Sequence, residues 1–270
     1  MDRKNFIKNF DFNSAKTTLK PKWSVKVKDK NASDIQQSTS NFKNPGLASH
    51  KLREKMVLRL RSQGIEDEVV LKALATVERH RFVDSALASR AYEDTALPIG
   101  CGQTISQPYV VARVISIVRS FLSRPIIRQK ISLSKKTKIL EVGTGCGYQA
   151  IVMSNCFDMV YSIERINSLY KSTMKRCDSL LNDNLFFIFG DGTKGLPDKA
   201  PFDAIVFSAA MVHFPKNLIS QLRVGGLLLL PEGNLEQRLI AGIKIDEDNS
   251  LKFYEFDAVR YVPVQMGVEF

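Results

Sequence analysis

Apolar residues along this chain follow two different spacings. In the first half they recur as on a helix: Leu52, Met56 and Leu60 lie four apart, with Gly64 where a cap belongs. Val70, Leu71, Leu74 and Val77 share one face of a second helix over 66–77, and Val110, Val114, Ile117 and Phe121 one face of a third over 109–121. The stretch 96–108, Ala-Leu-Pro-Ile-Gly-Cys-Gly-Gln-Thr-Ile-Ser-Gln-Pro, holds two prolines and two glycines and no period, and it reads as an ordered loop feeding that third helix. From Lys136 the pattern changes to short apolar runs separated by helix-length segments. The strands expected are Lys138–Val142, Met159–Glu164, Leu185–Phe189, 203–208 and 226–230, which repeated βα units would bring into a parallel sheet. Two further strands, 238–245 and 253–262, flank the turn-rich Asp246-Glu247-Asp248-Asn249-Ser250, so an antiparallel hairpin should close a mixed, mostly parallel α/β sheet.

Composition, 44% hydrophobic and 25% charged, is that of a globular protein, and no apolar run nears the roughly 20 residues of a membrane span. Charge changes the picture more. Of the net +11, residues 1–50 carry ten basic against four acidic side chains, with Lys16, Lys20, Lys22, Lys26, Lys28 and Lys30 set among Ser, Thr, Asn and Gln. Such a segment buries too little apolar area to offset its ordering entropy. Residues 1–46 are therefore expected to be a disordered basic extension, read as a solvated tail although such an arm can touch nucleic acid. Residues 47–270 are expected to form one domain, with 47–135 a helical lead-in and loop and 136–270 a ligand-binding α/β core. Arg3, Lys4 and Lys8 have no apolar stretch behind them, so the start lacks the core of a secretory signal. Cys101, Cys146, Cys156 and Cys177 form neither a CxxC pair nor a dense framework, which suits a reducing, cytoplasmic setting.

The chemistry concentrates at three successive strand ends. Glu141-Val142-Gly143-Thr144-Gly145-Cys146-Gly147 runs from a strand into a glycine turn that opens a helix, where the missing side chains let a ligand approach the backbone. The spacing is GxGxG, whereas a dinucleotide site calls for GxGxxG, so a nicotinamide enzyme is the weaker alternative. Glu164, 23 residues after Glu141, ends the next strand, where an acidic side chain can accept from both ribose hydroxyls. Asp191, followed by Gly192, would bring a carboxylate beside an adenine amino group. Each feature alone is as readily a turn or a solvated end. Together and in order they describe an adenosine site with no demand for a pyrophosphate, and S-adenosyl-L-methionine fits it, with S-adenosyl-L-homocysteine as product. The fold expected is the Rossmann-like one of methyltransferases that use this donor.

As for the acceptor, Ser208-Ala209-Ala210-Met211 stands where amine methylases of bases carry Asn/Asp-Pro-Pro-Tyr, no cysteine has the setting of an RNA nucleophile, and only three histidines exist. The acceptor should need little activation, and a carboxylate, ionised at neutral pH, qualifies.

At this point the sequence resembles the protein-L-isoaspartate (D-aspartate) O-methyltransferases over about residues 51–267. The likeness rests on Gly64-Ile65 with Asp67-Glu68, Arg81-Phe82-Val83, Ala96 to Gly100, Gly102 to Pro108, the 141–148 loop, Ser162 to Arg165, Gly190-Asp191-Gly192, Pro201 to Ile205 and Val259 to Pro263. Of these, Gln-Thr-Ile-Ser-Gln-Pro is the most diagnostic. The resemblance implies methylation of the free α-carboxylate of L-isoaspartyl residues in damaged proteins, with D-aspartyl residues as further acceptors, the ester closing to a succinimide that reopens partly to aspartate. It implies Ser106 as the active-site serine, holding the acceptor carboxylate. It implies donor contacts at Thr104, Ile105, Gln107, Glu141, Gly143, Thr144, Gly145, Gly147, Glu164, Asp191 and Gly192. Substrate contacts would fall at Leu97, Pro98, Ile99, Val262 and Pro263, with no metal, no membrane and a monomeric enzyme. Two departures stand out: Glu232 in Leu230-Pro231-Glu232-Gly233, where bacterial members carry an apolar residue, and the bulky 210–215 segment. A methyltransferase of another carboxylate or of RNA is the alternative.

Overall fold

The computed structural model describes residues 45–123 and 136–270. The expected basic extension lies outside the described residues except for its last two, which open the first helix. That helix, α1 (Pro45–Ser62), buries Met56 and Leu60 completely while Leu52 stays 37% exposed. Asp67 caps α2 (Glu68–Thr76) by accepting from the Val69 and Val70 N–H groups. Its second oxygen takes Arg119 Nε of α3 (Pro108–Leu122) at 2.7 Å, tying the two helices together.

The stretch read as a plain loop contains a two-stranded ribbon, β1 (Leu97–Gly100) against β2 (Gln103–Ile105), with Leu97 opposite Ile105. Its prolines and glycines hid strands only three or four residues long. Cys101, exposed and at φ +53°, turns the ribbon.

The sheet is built as expected. β3 (Lys138–Val142) leads through α4 (Tyr148–Ser154) to β4 (Met159–Glu164), and α5 (Asn167–Cys177) leads to β5 (Leu185–Phe189). The chain then returns to the other side of β3 with β6 (Phe202–Phe207), and α6 (Lys216–Ile219) precedes β7 (Leu222–Gly233). β8 (Gln237–Lys244) and β9 (Leu251–Val259) add the antiparallel hairpin, giving the order β5-β4-β3-β6-β7-β8-β9. Neighbours on β3, β6 and β7 alternate between two cores: Ile139, Ala204, Leu227 and Leu229 pack with α1 to α4, and Leu140, Ile205, Leu228 and Leu230 with α6. Burial on both faces explains why β7 reads as an unbroken leucine run. β7 is longer than the expected 226–230 because its end pairs with β8 as far as Gly233 opposite Gln237.

β9 ends at Val259, short of the expected 262. Residues 260–270 leave it and cross the carboxyl edge of the sheet. The Ala210 N–H donates to Val262 O and Ala210 O accepts from Val264 N–H, both at 2.8 Å. Further on, Glu269 exchanges backbone bonds with Arg165 and Asn167 at 2.9 and 2.8 Å. Among the described residues no helix is long and apolar enough to cross a membrane.

Candidate active site

β3 and β6 run parallel, but the order in which strands are added reverses between them, so connections leave their carboxyl ends on opposite sides and open a crevice there. The crevice floor is Glu141, residues 143–146 and Ser208. Glu164, Ile166, Gly192 and Thr193 form one side, Gln103 to Ser106 the other, and Val262 to Gln265 the roof.

Glu141 is fully buried and accepts from Ser162 Oγ at 2.6 Å, Gln149 Nε2 at 2.9 Å and Ser208 Oγ at 3.3 Å. Burial with no cation beside it pushes its carboxyl up to about 7, against those hydrogen bonds. Glu164 spends one oxygen on the Gly145 N–H at 2.8 Å and the other on the Ile166 N–H at 2.9 Å. It therefore shapes the glycine turn directly. A carboxylate has about four acceptor positions, so room remains to accept from ligand hydroxyls as well. Burial raises Glu164 as well, opposed by these backbone donors.

Glycine serves two ends in this turn. Gly143, at φ +98°, borders the crevice. Gly147, at φ +88°, does not: a Cβ there would stand 2.9 Å from Cys177 Sγ and Thr173 Cγ2, so it seats the start of α4 against α5.

Of the other residues expected at the site, Thr104, Ile105, Ser106, Thr144, Gly145, Gly192, Val262 and Pro263 border the crevice. Gln107 and Pro98 are exposed and Leu97 is 2% exposed in the core, all outside its lining. Ile99 leans on the glycine turn, its Cδ1 3.3 Å from where a Gly145 Cβ would stand. Asp191 is already engaged: Oδ1 takes Thr193 N and Oγ1, and Oδ2 takes the Gly267 N–H at 2.8 Å. Its pKa is held low by these bonds, against burial, the largest single influence on it.

Sequence reading missed the groups that support this site. Gln149, Ser162 and Ser208 hold Glu141, and Thr144 Oγ1 lies 2.6 Å from Ser162 Oγ. Arg165 fastens the roof through Nε to Gly267 O at 2.9 Å and Nη1 to Gln265 Oε1 at 3.0 Å and Glu269 at 3.2 Å. Tyr261 is buried, its hydroxyl enclosed without a partner in hydrogen-bond geometry; burial pushes the phenol up, and the Ser106 side chain counters part of that. Only strand-end position could have flagged Ser162 and Ser208; nothing local marks Tyr261. A second cavity, of about 600 Å³, meets the crevice at Thr193, Pro263 and Val264 and is lined by the 210–215 segment, Arg260 and Tyr261. Glu232 stands apart from both linings, on β7 beside Met211.

A parallel sheet with acidic residues closing β3 and β4 around a glycine turn defines a Rossmann-like methyltransferase fold. More narrowly, residues 50–269 match the family model of protein-L-isoaspartate(D-aspartate) O-methyltransferase, and the chain belongs to that family. The protein-L-isoaspartate O-methyltransferase of Bordetella avium is 48% identical over 227 residues, 84% of this chain and 81% of the relative. That of Methylobacillus flagellatus is 45% identical, covering 82% and 95%. Among solved structures, a protein-L-isoaspartate O-methyltransferase superposes with a TM-score of 0.66 at 26% identity, covering 80% of this chain and 67% of that one. A Plasmodium falciparum chain described as such an enzyme, solved with S-adenosyl-L-homocysteine, gives 0.64 at 22% identity, covering 79% and 98%.

Proposed function

We propose that this protein moves a methyl group from S-adenosyl-L-methionine to the free α-carboxylate of L-isoaspartyl residues in damaged proteins and peptides. The observation that carries this reading is a juxtaposition: the Gln103–Ser106 wall faces the glycine turn and Glu164 across one crevice, and a second cavity opens from it.

The residues fit the donor. Two buried carboxylates, Glu141 and Glu164, face the crevice, a setting suited to a cationic ligand, and Glu164 keeps acceptor positions for ribose hydroxyls. The adenine end is less open, because Asp191 already holds the Gly267 N–H. The donor supplies an electrophilic methyl group on a sulfonium. Ser106 sits half-buried on the opposite wall, and no histidine or carboxylate among the described residues hydrogen-bonds to its side chain. Without a base it is poorly placed as a nucleophile and well placed to donate to a carboxylate that is already ionised. Its work is orientation, and the 262–265 roof keeps water from the reacting pair. The second cavity offers room for the peptide on either side of the lesion, with Val262 and Pro263 at the junction. We read the enzyme as a monomer, and its free cysteines suit the cytoplasm.

The test is transfer of labelled methyl to two peptides that differ only in an isoaspartyl or a normal aspartyl residue. Base-labile label on the isoaspartyl peptide alone is expected. Label on neither, with the donor bound, would overturn the reading.

A further inference from the structure

Arg79 opens a short 3₁₀ turn, Arg79–Phe82, and is fully buried. Its Nε donates to Ala91 O and its Nη2 to Ser106 O, both at 2.7 Å. Its guanidinium carbon lies 4.8 Å from the centre of the Tyr148 ring, and that ring lines the crevice. Nη1 and the Tyr148 hydroxyl are enclosed with no partner in hydrogen-bond geometry, although each lies close enough to ease the other's burial, and among the described residues no carboxylate pairs with Arg79. Burying an unpaired cation costs several kcal/mol. A neutral side chain or a water could satisfy two carbonyls without that cost. What a guanidinium adds is a rigid planar fork that holds two acceptors at fixed separation. One acceptor belongs to the residue whose hydroxyl faces the acceptor side of the crevice, 27 positions further along the chain.

We propose that Arg79 is a positioning residue for methyl transfer: by gripping the Ser106 carbonyl it sets where the Ser106 hydroxyl stands over the donor. The inference rests on the functional reading above. It concerns the acceptor side, where Arg79 bonds the Ser106 carbonyl; its contact on the donor side is the Tyr148 ring, which follows the glycine turn.

A double-mutant cycle tests it, with S-adenosyl-L-homocysteine binding as the check that each variant is folded. Arg79→Lys keeps the charge and loses the fork. With Ser106 present it should lower kcat/KM for an isoaspartyl peptide about tenfold, the scale of a lost hydrogen bond to a charged group, and change homocysteine-product affinity less than about twofold. In the Ser106→Ala background the same change should cost under about twofold, because the hydroxyl that Arg79 positions is gone. Equal losses in both backgrounds, or a fall in product-analogue affinity parallel to the fall in turnover, would make Arg79 a structural staple and overturn the proposal. If Arg79→Lys does not fold, Arg79→Gln takes its place in the same cycle: a loss of about tenfold with Ser106 present and under about twofold in the Ser106→Ala background is expected, and equal losses in the two backgrounds would overturn the proposal too. Wild-type protein that labels no peptide would instead sink the functional reading, and this inference with it.

Discussion

Glu141 is a carboxylate held among hydroxyls and an amide with no cation to pair it. Its pKa stands at about 7 because burial disfavours the charge more than Ser162, Gln149 and Ser208 favour it. Between the ordinary value of 4.5 and about 7 the folded protein holds a proton that the unfolded chain has released, so stability falls as pH rises through that window. The loss amounts to about 3 kcal/mol. Glu141→Gln should flatten the slope: urea unfolding at intervals from pH 4.5 to 7.5 is expected to show the gap between variant and wild type shifting by that amount in the variant's favour. An unchanged slope would mean the carboxyl stays ionised. At this scale the sequence was partly legible. Strand-end carboxylates could be found from spacing, but what they do could not. Both oxygens of Glu164 are committed to backbone donors, and Asp191 is held by Gly267, 76 residues away. No local pattern announces a bond of that range.

Among elements, those whose period spans several residues were readable: three helices, five parallel strands and the closing hairpin. The β1–β2 ribbon was not, since three or four residues dense in proline and glycine carry no period. The departure of the chain from β9 was not either, because 260–262 looks like more strand and is redirected by bonds to Ala210 and to the Gln237 side chain. The segment that results roofs the crevice, and the Arg165 side chain fastens it at three points beside the backbone bonds. Arg165→Ala should loosen it, speeding dissociation of S-adenosyl-L-homocysteine severalfold in a stopped-flow chase and lowering amide-exchange protection over 265–270. Unaltered dissociation with lost protection would show that the roof does not gate the donor.

For the whole molecule, the two cores on either side of the sheet lie within residues 45–270, and the family match begins at residue 50. Fold class followed from alternation of strands and helices, while the relation of the two cavities depended on distant segments meeting. We propose that the methyltransferase domain begins at about residue 47. Removing residues 1–44 should leave methyl transfer to the isoaspartyl peptide within about twofold of the full chain, as expected where the family-matched residues 50–269 carry the reaction. A loss beyond tenfold would assign the basic extension a part in the reaction.

Ser106 lines the crevice together with Val262 and Pro263, and Pro263 also borders the second cavity, where the proposed reading seats the peptide. A lesion locked in a helix or a sheet cannot bring its carboxylate to that depth until its flanking chain peels away. The speed at which a damaged protein is mended would then be set by its own opening equilibrium, not by catalysis. Stable proteins would hide their lesions, and marginal ones would surrender them first.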